Sequence, residues 1–339
     1  MRASTDPSIA TAERYRAFAE VEARGMSACY DEWALGVADD AATVALIDRL
    51  PSSKRQPNLV FSASRFRGAS AGDYASFAAW LAAHWDDVET ACLTHATQTN
   101  EPGRCAVLLP ALAALPGPLA LIEVGASAGL CLHPDRYSYR YSSDQYSNER
   151  MLHPADGPSQ VVLDCRATGP VPFPAELPEV VWRAGVDLNP LDLNSESDVA
   201  WLNALIWPEH DDRRARLRAA VEVAMKQPVE IVRGDLNAEI EALVARAPAK
   251  ATVVVFHTAV LAYVDEEARA KFAEKMDRLP VSWLSNEGQS VVPGVMERLE
   301  TAPTASSDFV LALNGNPIAF AQPHGRALHW LNCEARDRA

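Results

Sequence analysis

The sequence predicts an α/β fold: a doubly wound, mostly parallel sheet with a C-terminal antiparallel hairpin, preceded by a helical region. Three observations predict it. Five short apolar runs, at 119–124, 180–186, 229–232, 251–256 and 281–284, alternate with helical segments at 198–206, 212–225, 238–245 and 266–278. Such runs, rich in β-branched residues and separated by helices, imply strands buried on both faces. Right-handed crossovers then wind the sheet in both directions. Asn314-Gly315 stands between apolar runs at 309–313 and 318–321, a strong local hairpin signal. Residues 1–115 carry the other period, in which apolar residues recur every three or four positions.

Within that helical region, Tyr74, Phe77, Leu81, Trp85 and Val88 fall on one face of a helix that follows Asp73. A short acceptor at Asp73 satisfies the first free amides as an N-cap. An earlier helix spans 10–23 with Tyr15 and Phe18 inward, and stops near Gly25, where positive φ is tolerated. The stretch 51–57 (PSSKRQP) reads as a loop. Leu115-Pro116-Gly117-Pro118 marks the boundary to an α/β domain over 116–339. After the first strand, at 131–178, tyrosines alternate with period two over 137–141 (Tyr146 follows) and prolines crowd 154–174. This is a small β insertion, and two readings stand: a flap over the site, or an ordered surface loop.

Apolar residues make up 48% of the chain and charged residues 22%, an ordinary globular balance. The formal charge of −14 repels phosphate backbones and anionic lipid. Nucleic acid and membrane are therefore disfavoured as partners, and a small molecule is favoured. The six cysteines, Cys333 among them, form no C-x-x-C pair. Residues 1–10 are polar, without an apolar leader, and no apolar run reaches the ~20 residues of a membrane helix. A reducing, cytoplasmic setting is expected. Oligomeric state leaves no mark in the sequence.

The chemistry concentrates at the ends of the predicted strands. The first runs into Glu123, then Gly125-Ala126-Ser127-Ala128-Gly129, then a candidate helix start. Gly125 allows a sharp turn, and the small residues let a ligand or a neighbouring strand come close. Turn amides can meet a carboxylate or phosphate. Ser127 stands where a dinucleotide loop has its second glycine, so a cofactor without a pyrophosphate fits better. Asp187 and Leu188 end the second strand, where an acidic side chain can accept both hydroxyls of a ribose. They follow the glycine loop by far more than the usual ~20 residues, and the β insertion accounts for the excess. Asp235 and Leu236 follow the third strand, and Asp235 is placed to accept an adenine amine. Each aspartate has a competing role as a helix N-cap. His257 ends the fourth strand, with Tyr263 beyond it. Both are candidates for proton transfer, and for His257 a hydrogen bond to neighbouring backbone is the competing role. A polar cluster, Gln98-Thr99-Asn100-Glu101 with Arg104, precedes the first strand. It folds over a cofactor or forms a solvated loop with a Glu101–Arg104 ion pair.

The order of these signals resembles a class I S-adenosylmethionine-dependent methyltransferase with its Rossmann-like fold. More closely, the chain is similar to a bacterial family of unknown function, DUF2332. That likeness rests on Gln98–Glu101 with Gly103-Arg104, on Glu123–Leu130, on Arg136–Tyr141 and on Gly185–Pro190. It implies S-adenosylmethionine as cofactor. Glu123, Gly125, Ala126, Ser127 and Gly129 would line its methionine end, with Asn100 and Arg104 nearby. Asp187 and Leu188 would hold the ribose, and Asp235 and Leu236 the adenine. The implied reaction is methyl transfer to a small or medium-sized acceptor, with His257 or Tyr263 as base. The alternative is a non-catalytic protein of the same fold acting as a ligand sensor or scaffold.

Overall fold

A computed structural model describes residues 10–98, 100–143, 149–299 and 308–332; Thr99, Tyr146 and Cys333 lie outside them, as do residues 1–9. The chain forms two compact units, one from Met1–Thr99 with Leu193–Ala215, the other from Asn100–Asp192 with Arg216–Ala339. The units thus divide just before Asn100, whereas the proline–glycine stretch points to 115/116.

The helices in chain order are α1 (Thr11–Phe18), α2 (Ala28–Asp39), α3 (Ala41–Ile47), α4 (Pro57–Phe66), α5 (Tyr74–Ala83), α6 (Trp85–Thr94), α7 (Cys105–Ala113), α8 (Glu196–Ala204), α9 (Asp211–Lys226), α10 (Leu236–Arg246) and α11 (Glu266–Arg278). Among the described residues no helix is long and apolar enough to cross a membrane.

The first unit is helical because its caps and apolar stripes agree. Ser27, Asp40 and Asp73 each accept a hydrogen bond from the first turn of the helix that follows, supplying acceptors for otherwise orphaned amides. Phe61 centres an aromatic core, with ring centroids of Tyr15, Tyr30, Trp33 and Phe77 within 5.0–5.6 Å. Trp33 stacks on Phe77 at 3.9 Å. The face expected over 74–88 is present, and Phe77, Leu81, Trp85 and Val88 are buried. It belongs to two helices, however. The chain breaks at His84 (φ −121°, ψ 20°), and Asp86 and Asp87 occupy the first turn of α6, where negative charge favours a new N-terminus.

The second unit is built on the sheet. Its strands are β1 (Leu119–Val124), β2 (Ser138–Ser142), β3 (Arg150–Leu152), β4 (Val162–Thr168), β5 (Val180–Asp187), β6 (Glu230–Arg233), β7 (Thr252–Thr258), β8 (Ser282–Gly288), β9 (Phe309–Leu313), β10 (Asn316–Ala321) and β11 (Ala327–Trp330). They form one 11-stranded sheet in the order β3-β2-β4-β11-β10-β9-β8-β7-β1-β5-β6. The stretch β6-β5-β1-β7-β8 is parallel throughout. β1 comes first in the chain and lies in the middle, so the winding direction reverses there. The expected hairpin is β9–β10, antiparallel through Asn314 (φ 50°) and Gly315 (φ 72°), and β9 pairs antiparallel with β8. The insertion supplies β2, β3 and β4, and β4 pairs with β11. Its strands thus form one edge of the same sheet.

Alternation along the strands assigns the two sheet faces. Ile122, Val124, Ala184, Val186, Val255 and Trp283 pack with Ile240 and Leu243 of α10 and with Phe272 and Met276 of α11. Leu121 and Glu123 of β1 point to the opposite face.

Candidate functional site

In a parallel sheet wound both ways, the carboxyl ends of the strands beside the reversal point form a crevice where ligands bind. Here those ends are Glu123 (β1), Asp187 (β5), Arg233-Gly234-Asp235 (β6), His257-Thr258 (β7) and Asn286-Glu287 (β8). The sequence candidates therefore share one rim of the sheet, but they play different local parts.

The turn after β1 is shaped by packing. Gly125 has φ +69°, and a Cβ there would lie 2.5 Å from Val260 Cγ2. Gly129 has φ +74°, and its Cβ would meet Val229 Cγ2 at 2.9 Å. Both glycines thus admit neighbouring side chains of their own unit. No α-helix follows: short 3-10 turns at Leu130–Leu132 and Pro134–Arg136 lead into β2, since Pro134 disfavours helical backbone at His133. The turn amides are largely committed. Gly125 and Ala126 donate to Val186 O (2.8 and 3.2 Å), and Gly129 donates to Ala126 O (2.7 Å). Ser127 donates to Asp187 Oδ2 and Leu130 to Asn100 Oδ1, both at 2.8 Å.

The two aspartates hold backbone. Asp187 accepts from Ser127 N and, through Oδ1, from Asn189 N at 2.8 Å. Asp235 caps α10, accepting from Asn237 N and Ala238 N, the alternative to adenine binding. It is solvent-exposed, and Leu236 behind it is buried. Leu188, beside Asp187, is 72% exposed.

Glu123 is buried, and its Oε2 has no hydrogen-bond partner among the described residues. Burial, then the neighbouring Cys131 thiol, raises its carboxyl well above the usual carboxylate range, against the pull of Arg104. Glu101 and Arg104 do not pair with each other. Glu101 Oε1 takes Arg216 Nε at 2.9 Å and Gly103 N at 3.0 Å. Arg104 reaches Pro323 O (3.0 Å), Thr258 O (3.0 Å) and Thr258 Oγ1 (3.2 Å).

His257 faces the other way, toward α11. It is fully buried, with Nδ1 2.7 Å from Glu287 Oε1 and Nε2 accepting the Trp283 indole N–H at 2.9 Å. Glu287 Oε1 also accepts from Val260 N and Leu261 N. This cluster pins the base of the loop after β7, and Tyr263 stands 63% exposed on that loop. Both ring nitrogens of His257 are thus engaged inside the protein.

Sequence reasoning missed Asn286, Glu287 and Arg216. The signal for the first two was the polar triplet Ser285-Asn286-Glu287 directly after an apolar run, since β8 continues through all three. Arg216 sits in an arginine-rich helix and carries no local signal.

A family model described as "Uncharacterized protein conserved in bacteria (DUF2332)" matches residues 12–330. The chain belongs to that family. No curated protein and no solved structure matches it.

Proposed function

Starting from a family membership that brings no reaction with it, we propose that the sheet unit is a Rossmann-like domain binding S-adenosylmethionine. We further propose that the protein transfers a methyl group to a small or medium-sized acceptor. The observation that carries the reading is the parallel order β6-β5-β1-β7-β8 with an acidic residue at the end of each of β1, β5 and β6. Those ends flank the reversal point, where nucleosides bind in such sheets.

The residues present fit the adenosine part. Each carboxylate oxygen of Asp187 can accept more than one hydrogen bond, so ribose hydroxyls can add to the backbone amides already bound. Exposed Leu188 offers an apolar surface to a purine, and Asp235 offers an acceptor to its exocyclic amine. The amino-acid part meets side chains, Glu123, Asn100 and Arg104, because the turn amides are committed. When bound, the cofactor supplies an electrophilic methyl on a sulfonium. The protein's own work is to bind, orient and exclude water, and orientation carries much of the rate in such transfers. Tyr263 is the residue placed to accept a proton from an acceptor that needs deprotonation.

A second reading, a non-catalytic ligand sensor or scaffold, is favoured by the committed turn amides and by the missing helix after β1. Calorimetric titration with S-adenosylmethionine and S-adenosylhomocysteine tests the first. Binding of both, weakened about tenfold or more by Asp187→Ala, is the expected result. A chain that binds neither has no part in methyl transfer.

A further inference from the structure

On the sheet face opposite α10 and α11, Glu123 of β1 and Asn286 of β8 flank β7, whose Thr258 takes Arg104. Asn286 is fully buried, and neither Oδ1 nor Nδ2 has a hydrogen-bond partner among the described residues. Its strand neighbour in register is Thr258, the residue that takes Arg104 Nη1 through both its carbonyl and its hydroxyl oxygen. Arg104 is itself buried, and its partners are all neutral oxygens. The nearest sequence carboxylate, Glu101, is engaged by Arg216. Glu123 completes the group from β1, where it pairs in register with Phe256, two residues before Thr258. Its Oε2 is likewise buried without a hydrogen-bond partner among the described residues.

The Asn286 Nδ2 donor and the Arg104 guanidinium point the same way. A buried amide that makes no hydrogen bond is unfavourable unless something else supplies the partner. A buried guanidinium without a counter-charge is more unfavourable still. The missing group must accept hydrogen bonds, carry negative charge, and be small.

We propose that Arg104, Asn286 and Glu123 form a subsite for the carboxylate of a bound small molecule, at the carboxyl ends of β1, β7 and β8. A carboxylate presents two planar oxygens that suit a guanidinium and an amide N–H together. Its single charge suits Arg104, whose hydrogen bonds all go to neutral oxygens, whereas a phosphate dianion would bring a second negative charge beside the Glu123 carboxyl. Burial keeps that carboxyl protonated well above the usual range, so it adds an O–H donor to the same acceptor. Two sources share the chemistry: the α-carboxylate of the cofactor's amino-acid part, and the carboxylate of a separate acid acting as acceptor. The first source rests on the function proposed above, and the second does not.

The test compares two matched pairs by calorimetry on the full chain: S-adenosylhomocysteine against its carboxamide, and acetate against acetamide. The expected result is a preference for the carboxylate of about tenfold or more in at least one pair. Preference in the first pair identifies the cofactor's carboxylate, and preference in the second a free acid. Asn286→Asp should abolish the preference while raising the melting temperature, because the new side chain supplies Arg104 with the missing charge from within the protein. Asn286→Ser, which replaces the amide with a shorter neutral hydroxyl, should weaken the preference without that rise. Equal binding within both pairs, including no binding at all, overturns the proposal, as does a preference that survives in Asn286→Asp. The nucleoside 5′-methylthioadenosine separates the two claims. If it fails to bind, the cofactor reading fails, and the acetate pair still decides the subsite.

Discussion

The indole N–H of Trp283 donates to Nε2 of His257 at 2.9 Å, and this leaves the imidazole proton on Nδ1, facing Glu287 Oε1 at 2.7 Å. A histidine held at both nitrogens joins β7 to β8 and supports the loop that carries Tyr263. His257→Leu should therefore destabilise the protein by about 2–4 kcal/mol, since it leaves two buried polar partners unmatched. Urea unfolding measures it. A stability change under ~0.5 kcal/mol would show that the cluster does not hold the strands together.

Gly125 tests whether the turn after β1 is fixed by packing. Gly125→Ala meets both a positive φ and Val260, and should cost about 1–3 kcal/mol. Adding Val260→Ala should return the steric part and leave the backbone part, so the double variant falls between the single variant and the wild type. A double-mutant cycle by thermal melting gives the coupling. Zero coupling would mean that the approach of Val260 to this turn has no energetic weight.

Asp187 binds two backbone amides across the turn, and one of them belongs to Ser127, which holds φ +51° without being glycine. Asp187→Ala should lower stability by about 1–2 kcal/mol through those amides. Ser127→Gly should be neutral or stabilising by up to ~1 kcal/mol, because a left-handed backbone is unfavourable for an L side chain. Chemical denaturation of the two variants checks both signs.

Two buried groups give opposite pH dependences. His133 is fully buried, and neither ring nitrogen has a partner among the described residues. Burial, then Arg183 and Arg136, pushes its imidazole down to about 3. Between that value and the ordinary ~6.5, the unfolded chain binds a proton that the folded chain does not. Stability therefore rises with pH across this window and is lost on acidification. The slope is at most about 1.4 kcal/mol per pH unit, and His133→Phe should flatten it.

Glu123 works in reverse. Its raised carboxyl keeps a proton in the folded chain above the ~4.3 at which the unfolded carboxyl loses it. Its contribution is complete below that value and declines as pH rises. Glu123→Gln should remove that decline, so its advantage over the wild type grows toward neutral pH. Melting temperatures from about pH 4 to about pH 8 follow both groups. A Glu123→Gln difference that does not change with pH would mean the carboxyl titrates normally.

The sequence alone determined the local elements. Period two and period 3.6 are properties of neighbouring residues, so the strands at 119–124 and 309–313, the Asp73 cap and the Asn314-Gly315 turn were all readable without long-range information. The helix face over 74–88 was readable too, although its break at His84 was not. The acidic strand ends Glu123, Asp187 and Asp235 were found by the same local logic. Tertiary structure decided what those side chains do. Only pairing between distant strands put Asn286 beside Thr258, carried Arg104 to Thr258 instead of Glu101, and enclosed His257 between Trp283 and Glu287. It also made the insertion a sheet edge by setting β4 against β11, some 160 positions away in sequence. Burial and partner choice depend on which surfaces exclude water together, and that is fixed by the whole chain and not by any window of it.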